Sequence, residues 1–127
     1  RNIFFLKDRT GLSQCGLIDF QDAVRGPITE DLLSLLTSSR IPMDETLRRS
    51  LIDRYLSAFE NLNTQKFWAS WNILTTHRVL RLLGLYSEAG ITESGTDFTQ
   101  YIPRLEQLLL KQLECDELWA LREWFKF

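Results

Sequence analysis

One histidine and two cysteines, Cys15 and Cys115, are all that 127 residues offer as imidazole or thiolate metal ligands, and their spacing matches no metal-binding pattern. A structural zinc site, which needs a full tetrahedral set of such ligands, is thereby excluded. The cysteines read as reduced thiols of a cytoplasmic protein. Long apolar runs are missing too. No window approaches the roughly 20 residues of a membrane span, and Ile3 to Leu6 is ended by Lys7-Asp8-Arg9 before it reaches the length of a signal-peptide core. Neither membrane insertion nor export is expected. A basic excess is likewise absent: 15 Lys and Arg stand against 17 Asp and Glu, for a net charge of -2. Nucleic acid is therefore not an expected partner. The single methionine is Met43, so an initiator is lacking, and the chain is expected to come from a longer one by truncation, processing or a partial gene.

What is present is the composition of a folded domain: 44% hydrophobic and 25% charged residues, without low-complexity tracts, argue against disorder. A chain of this length can bury roughly two-thirds of its unfolded surface around one core. Ile3 to Leu6 and Cys15 to Phe20 are apolar runs separated by the polar stretch Lys7 to Gln14, which contains Gly11; two strands and a hairpin loop fit this pattern. Everything after Pro27 has helical spacing. Thr29 is placed to cap a first helix whose opening turn carries Glu30 and Asp31 and whose apolar stripe is Leu32, Leu33, Leu35 and Leu36, ending near Ser38-Ser39.

A second, amphipathic helix is expected from Asp44 to about Asn61, with Leu47, Leu51, Ile52, Tyr55, Leu56 and Phe59 at helical spacing. A third starts after Asn63-Thr64 and carries Phe67, Trp68, Trp71, Leu74, Leu82 and Leu83, with Gly84 near its end and Gly90 as a later stop. It is apolar over enough of its circumference to be central. Gly90 to Gln100, rich in Thr, Ser and Gly, is the expected mobile loop. Pro103 suits the first turn of a fourth helix with Leu105, Leu108, Leu109 and Leu113, and Asp116 is placed to cap a short last one with Leu118, Trp119, Leu121 and Phe125. The expected fold is mainly α with a short N-terminal β-hairpin, in one domain without internal repeats.

The segment with chemical content runs from Gly16 to Leu36. An apolar strand ends in Asp19, a tight Gly26-Pro27 turn follows, and a helix begins within about ten residues. A carboxylate at the end of a buried strand is costly unless a cation meets it, and a hard divalent metal is one such cation. Ile18-Asp19-Phe20 alone reads more simply as a strand end whose Asp stabilises a turn. The longer string Asp19-Phe20-Gln21-Asp22-Ala23, then Gly26-Pro27, then Asp31-Leu32-Leu33-Ser34-Leu35-Leu36, resembles the magnesium-binding segment of the aminoglycoside phosphotransferase and choline kinase-like family. Within that family it is most similar to the bacterial kinases that phosphorylate N-acetylmuramate and N-acetylglucosamine at the anomeric hydroxyl.

The resemblance extends to both ends. Asn2, followed by the apolar Ile3-Phe4-Phe5-Leu6, stands where the family's catalytic loop ends in Asn. The loop's His and catalytic Asp would then precede Arg1, so no catalytic residue is expected within this chain. More loosely, Thr76-His77-Arg78-Val79-Leu80-Arg81-Leu82-Leu83-Gly84 and Tyr101-Ile102-Pro103-Arg104 are similar to later helices of the sugar-kinase group. Glu30 departs from the pattern, since relatives often carry an aromatic before the Asp-Leu. The resemblance implies the C-terminal lobe of a protein-kinase-like α+β fold. Residues 1–22 would form the end of the catalytic loop, the hairpin and the metal segment, and residues 28–127 a helical subdomain. It implies Mg2+ and ATP, with Asn2 and Asp19 as metal and cofactor ligands, a sugar or amino-sugar acceptor, and a partner in the missing N-terminal half that carries the catalytic Asp. The chain alone would then be inactive. The stretch between Asp19 and the next helix is too short for the regulatory activation loop of protein kinases, which favours a small-molecule acceptor.

Other residues carry competing expectations. Asp31 is a partner of the first-turn helix dipole or, by resemblance, a support for the catalytic-loop backbone. Asp22 either touches metal or acceptor, or stabilises the turn beside Gly26. Arg78 and Arg81 share a helix face, where they either orient an anionic sugar or pair with Glu88 or Glu93. His77 is expected to be a hydrogen-bonded helix residue, and Trp68 and Trp71 core residues rather than a sugar platform. Trp119, Trp124, Phe125 and Phe127 form an apolar cluster that seals the helices or, if exposed, drives self-association. A helical protein-interaction module without catalysis is the alternative function, and it would show no response to divalent ions.

Overall fold

The computed structural model describes residues 2–21, 23–92 and 95–125. Among these the fold is mainly helical, with one two-stranded antiparallel sheet formed by β1 (Ile3–Phe5) and β2 (Cys15–Leu17). Ile3 pairs with Leu17, Phe4 with Gly16 and Phe5 with Cys15. The hairpin closes through a 3-10 turn at Gly11–Gln14, and Gly11 takes a φ of 60°, which costs a residue without Cβ nothing. The expectation of a buried strand is corrected here. Two strands have no third layer to cover them in this chain, so Phe5, Leu17 and Ile18 remain exposed.

Five helices follow. Helix α1 (Glu30–Leu36) buries Leu33 and Leu36, while Leu35 falls off the 3.6-residue stripe and is half exposed. Its predicted cap is not made. Thr29 is already in helical geometry, and its hydroxyl instead meets Ser70 Oγ at 2.9 Å, a partly buried tie to the third helix. Helix α2 (Glu45–Leu56) stops short of the expected Asn61, because the chain turns through Ala58 and Phe59. Asp44 does cap it, accepting from the backbone N–H of Thr46 at 2.9 Å and of Leu47 at 3.1 Å. Asp44→Ala is expected to cost about 1 kcal/mol of stability, read as a shift of the urea midpoint at unchanged slope.

Helix α3 (Thr64–Ala89) is the spine of the molecule. Asn63 caps its start, it passes through Gly84 without a break, and it ends at Gly90, whose φ of 52° leaves the helical region. Nothing lies close to Gly84, so the helix loses only about 1 kcal/mol of propensity there. The N-terminal half of α3 contributes Phe67 and Trp71 to a core with Leu33, Leu36 and Ile52. Its C-terminal half contributes Val79 and Tyr86 to a second core with Leu105, Leu109 and Leu113 of α4 (Ile102–Leu113), which has Pro103 in its first turn. Membership in both clusters makes α3 central, as its apolar circumference implied.

The predicted loop between α3 and α4 has more internal bonding than an open connection. Ile91 bridges Asp97, Thr92 and Thr96 exchange hydrogen bonds, and Asp97 accepts from the Thr99 N–H at 2.9 Å. After α4 a 3-10 turn at Asp116–Leu118 leads into α5 (Trp119–Phe125). Asp116 lies inside that turn and caps nothing, which corrects the expectation; the residue at the cap position is Cys115. Phe125 packs on the second core, but Trp119 and Trp124 are 61% and 74% exposed, so the terminal aromatics seal the bundle only in part. Phe127 lies outside the described residues. No helix among the described residues is long and apolar enough to cross a membrane.

The two thiols are free and differ in setting. Burial pushes the Cys115 thiol up, and the negative charges of Glu117, Glu114 and Asp116 add to it, against Lys111. Only the thiolate is nucleophilic, so Cys15, exposed on β2, is expected to react first with a disulfide reagent at pH 8, and Cys115 to follow as the pH rises. Peptide mapping of the labelled protein checks the order.

Candidate functional site

The hairpin register brings together two residues seventeen positions apart. Beyond the paired strands, the Ile18 N–H donates to the Asn2 carbonyl at 3.1 Å, which sets Asn2 alongside the end of β2 and the next residue, Asp19. The Asn2 Nδ2 then donates to Asp19 Oδ2 at 2.6 Å. The second carboxylate oxygen, Oδ1, accepts from Gln21 Nε2 at 2.7 Å. Gln21 was not singled out in the sequence, and no spacing rule would have done so; only the turn after Asp19 brings it back.

Asp19 is the one non-glycine residue with positive φ among the described residues, at 65°. Asp tolerates this left-handed region better than most side chains, but the backbone still stores strain there, a feature concentrated at functional sites. The same kink ends β2 and turns the carboxylate back toward Asn2. Asp19 is exposed, so the desolvation argument that singled it out in the sequence does not hold in this chain. A carboxylate and a carboxamide offer the hard oxygen donors that magnesium takes, and a half turn of the Asn2 amide would present its oxygen in place of its nitrogen. No cluster of three or more His, Cys, Asp or Glu side chains occurs among the described residues. Asp22 lies outside the described residues. So does Arg1, the position that the catalytic Asp was expected to precede, and the described site begins at Asn2.

Two neighbouring cavities flank the N-terminal end of α1. One, of about 500 Å³, is bordered by the Ala23 to Ile28 stretch with Asp31 and Tyr55. The other, of about 250 Å³, is bordered by Leu74, His77, Arg78 and Arg81 of α3. Glu30 and Ser34 belong to both and form the wall between them. Tyr55 is fixed by a 2.7 Å hydrogen bond to the Ile28 carbonyl. Asp31 is exposed in the first turn of α1, the position of a dipole partner.

Arg78 and Arg81 thus share one cavity. The expected pairing with Glu88 is not made, since the one ion pair among the described residues joins Arg48 to Glu45. Glu93, the other suggested partner, lies outside the described residues. Arg78 Nε is buried without a hydrogen-bond partner. Burial lowers the Arg78 pKa first and the like charge of Arg81 second, with Tyr86 and Glu30 opposing. His77 lines the same cavity from an exposed position, facing open space rather than a hydrogen-bond partner, which corrects the expectation. Of the two tryptophans predicted to be core, Trp71 is buried but Trp68 is 40% exposed.

Residues 1–68 match the phosphotransferase enzyme family. Over 124 residues the chain is 30% identical to the N-acetylmuramate/N-acetylglucosamine kinase of Caulobacter vibrioides, an overlap of 98% of this chain and 34% of that protein. It is 28% identical over 133 residues to the N-acetylmuramate/N-acetylglucosamine kinase of Neisseria meningitidis serogroup B, covering 95% of this chain and 38% of that one. The chain therefore spans little more than a third of the length of the curated relatives it matches. With the family match covering more than half of its residues, including Asn2 and the whole Asp19 to Leu36 string, this chain belongs to the phosphotransferase enzyme family.

Proposed function

We propose that this chain is part of an ATP-dependent small-molecule kinase that transfers the γ-phosphate to a hydroxyl of a sugar or amino sugar. Within it the chain supplies metal ligands and the helices around the acceptor. The hydrogen bond between Asn2 and Asp19 carries the proposal, because it joins the two positions that the family pattern assigns to metal binding. The names of the relatives support an amino-sugar acceptor. Mg2+ bound there would neutralise charge on the β- and γ-phosphates, and phosphoryl transfer depends on such placement and neutralisation more than on covalent chemistry from the protein.

In this proposal Asp19 gives the carboxylate, Asn2 the amide oxygen, and Gln21 holds Asp19 Oδ1 in place. Residues 1–22 form the end of the catalytic loop, the hairpin and the metal segment, and residues 28–127 the helical subdomain of a kinase C-terminal lobe. Asp22 and the cavity walls around Glu30 belong to the acceptor side. There the unpaired Arg78 and Arg81 suit an acceptor that carries a carboxylate. Asp31 supports the catalytic-loop backbone. The exposed apolar face of the hairpin suits packing against the part of the protein upstream of Arg1, which would bring the small lobe and the catalytic Asp.

The intact gene product, assayed for ATP consumption with Mg2+ across N-acetylmuramate, N-acetylglucosamine, choline and aminoglycosides, tests this. Turnover is expected on an amino sugar. The exposed Trp119 and Trp124 favour one other reading, a helical module that binds a partner protein. Such a module would leave ATP untouched by every acceptor and ignore Mg2+.

A further inference from the structure

Away from the candidate site, a small cavity of about 60 Å³ is bordered by Thr37 and Ser39, which follow α1, by Arg48 of α2, and by Arg104, Leu105 and Leu108 of α4. Its walls are largely sealed, with Thr37, Ser39 and Leu105 at 9%, 7% and 1% exposure. Two arginines border this space and no Asp or Glu does. Positive charge gathered at a partly desolvated position is unfavourable unless an anion meets it. Glu45 pairs with Arg48, but from a side chain 62% exposed, where water screens the pair. Arg104 forms no ion pair among the described residues.

Both guanidinium groups are anchored and keep spare donors. Arg48 Nε donates to the Leu36 carbonyl at 3.1 Å and Nη1 to Glu45, which leaves Nη2 without a partner among the described residues. Arg104 commits only Nη2, to the Ile41 carbonyl at 3.5 Å. None of these spare N–H groups is sealed from a water-sized molecule, unlike the partnerless atoms of Thr75, Arg78 and Gln112. Ser39 Oγ lies 3.4 Å from the Tyr86 hydroxyl, and with Tyr86 as the donor the Ser39 proton is free. The Thr37 proton is not, since it goes to the Leu33 carbonyl at 2.6 Å. Charge and size then choose among anions. The charge left without a counterpart is chiefly that of Arg104, and Leu105 and Leu108 offset none of the hydration that a divalent phosphate or sulfate would lose. One water needs roughly 10–15 Å³, so the space holds a small ion with a few waters, far below the roughly 300–1,000 Å³ of organic-ligand pockets.

We infer that this cavity is a chloride site. Arg104 and Arg48 Nη2 donate to the ion, the Ser39 hydroxyl adds a further contact, and Leu105 and Leu108 shield it from bulk water. The ion clips the end of α1 to α2 and α4 and so ties the core around Leu36 to the core around Leu105. Its effect falls on stability rather than on chemistry. The cavity shares no lining residue with the two around Glu30, so the inference does not rest on the kinase proposal.

The test adds the intact gene product to sodium chloride and follows the linewidth of the chloride NMR signal, together with the thermal midpoint as chloride replaces gluconate at constant ionic strength. The protein is expected to broaden the signal, bromide to narrow it again by displacement, and sulfate at equal ionic strength to leave it broad. The midpoint is expected to rise by about 3 °C along a saturable curve, the shift produced when an ion stands about tenfold above its Kd. Arg104→Gln is expected to weaken chloride binding at least about tenfold and to flatten the midpoint curve. Ser39→Ala removes a single hydroxyl, weakens binding about fivefold, and serves if Arg104→Gln fails to fold. Arg122→Gln, at an exposed position on α5, keeps the wild-type response. So does Asp19→Asn, which separates this result from the fate of the kinase proposal. The inference is overturned if the protein leaves the signal sharp or the midpoint flat, if sulfate narrows the signal as well as bromide does, or if Arg104→Gln and Ser39→Ala both respond like the wild type.

Discussion

Asp19→Ala in the intact gene product is expected to lower the rate of phosphoryl transfer about a thousandfold, the scale on which preorganised charge at a transferring phosphoryl group acts. The loss should appear in kcat, because in the proposed site the carboxylate acts on charge that develops in the transition state. Removing it also frees the amides of Asn2 and Gln21, which both donate to it. Alanine is poorly suited to the φ of 65° at this position, so Asp19→Asn is the cleaner variant. Asparagine tolerates the left-handed backbone and keeps the shape while losing the charge. Its activity should fall nearly as far, while thermal stability stays within about 0.5 kcal/mol, as for other exposed sites. Initial rates of ADP formation and a melting curve on the same preparation check both halves.

The largest expected effect on stability belongs to Trp71→Ala, at about 3–5 kcal/mol. Trp71 is 6% exposed and packs with Phe67, Leu33, Leu36 and Ile52, where α1, α2 and α3 meet. Its ring lies 6.1 Å from Phe67 and 5.9 Å from Trp68, so truncation removes two aromatic contacts together with the buried area. Domains of this size are stable by only about 5–15 kcal/mol, and the variant should therefore sit near its unfolding midpoint in dilute buffer or in low urea. Trp124→Ala, at a position 74% exposed, should change stability by about 0.5 kcal/mol or less. Urea titrations followed by circular dichroism distinguish the two.

The helices were legible in the sequence because burial follows the 3.6-residue period. Leu33 and Leu36, Phe67 and Trp71, and Leu105 and Leu109 stand where the spacing placed them. Helix ends were less legible, since a cap depends on what else competes for the side chain. Thr29 had the right residue type, yet its hydroxyl found Ser70, 41 positions away. Asp44 and Asn63 have no such competitor and do cap. In the candidate site, Asn2 and Asp19 were singled out through a resemblance to a family pattern, and the antiparallel register places them in hydrogen-bond contact. The role of Gln21 was invisible because it arises from a left-handed residue that no composition or period announces.

The central claim, a divalent-metal site built from Asn2 and Asp19, is tested most directly by adding Mn2+ to the isotopically labelled chain and following paramagnetic broadening in its amide and side-chain NMR spectra. Broadening centred on Asn2, Asp19 and Gln21 that disappears in Asp19→Asn is the predicted result. Spectra in which those signals stay sharp, or broaden equally in the variant, would contradict it.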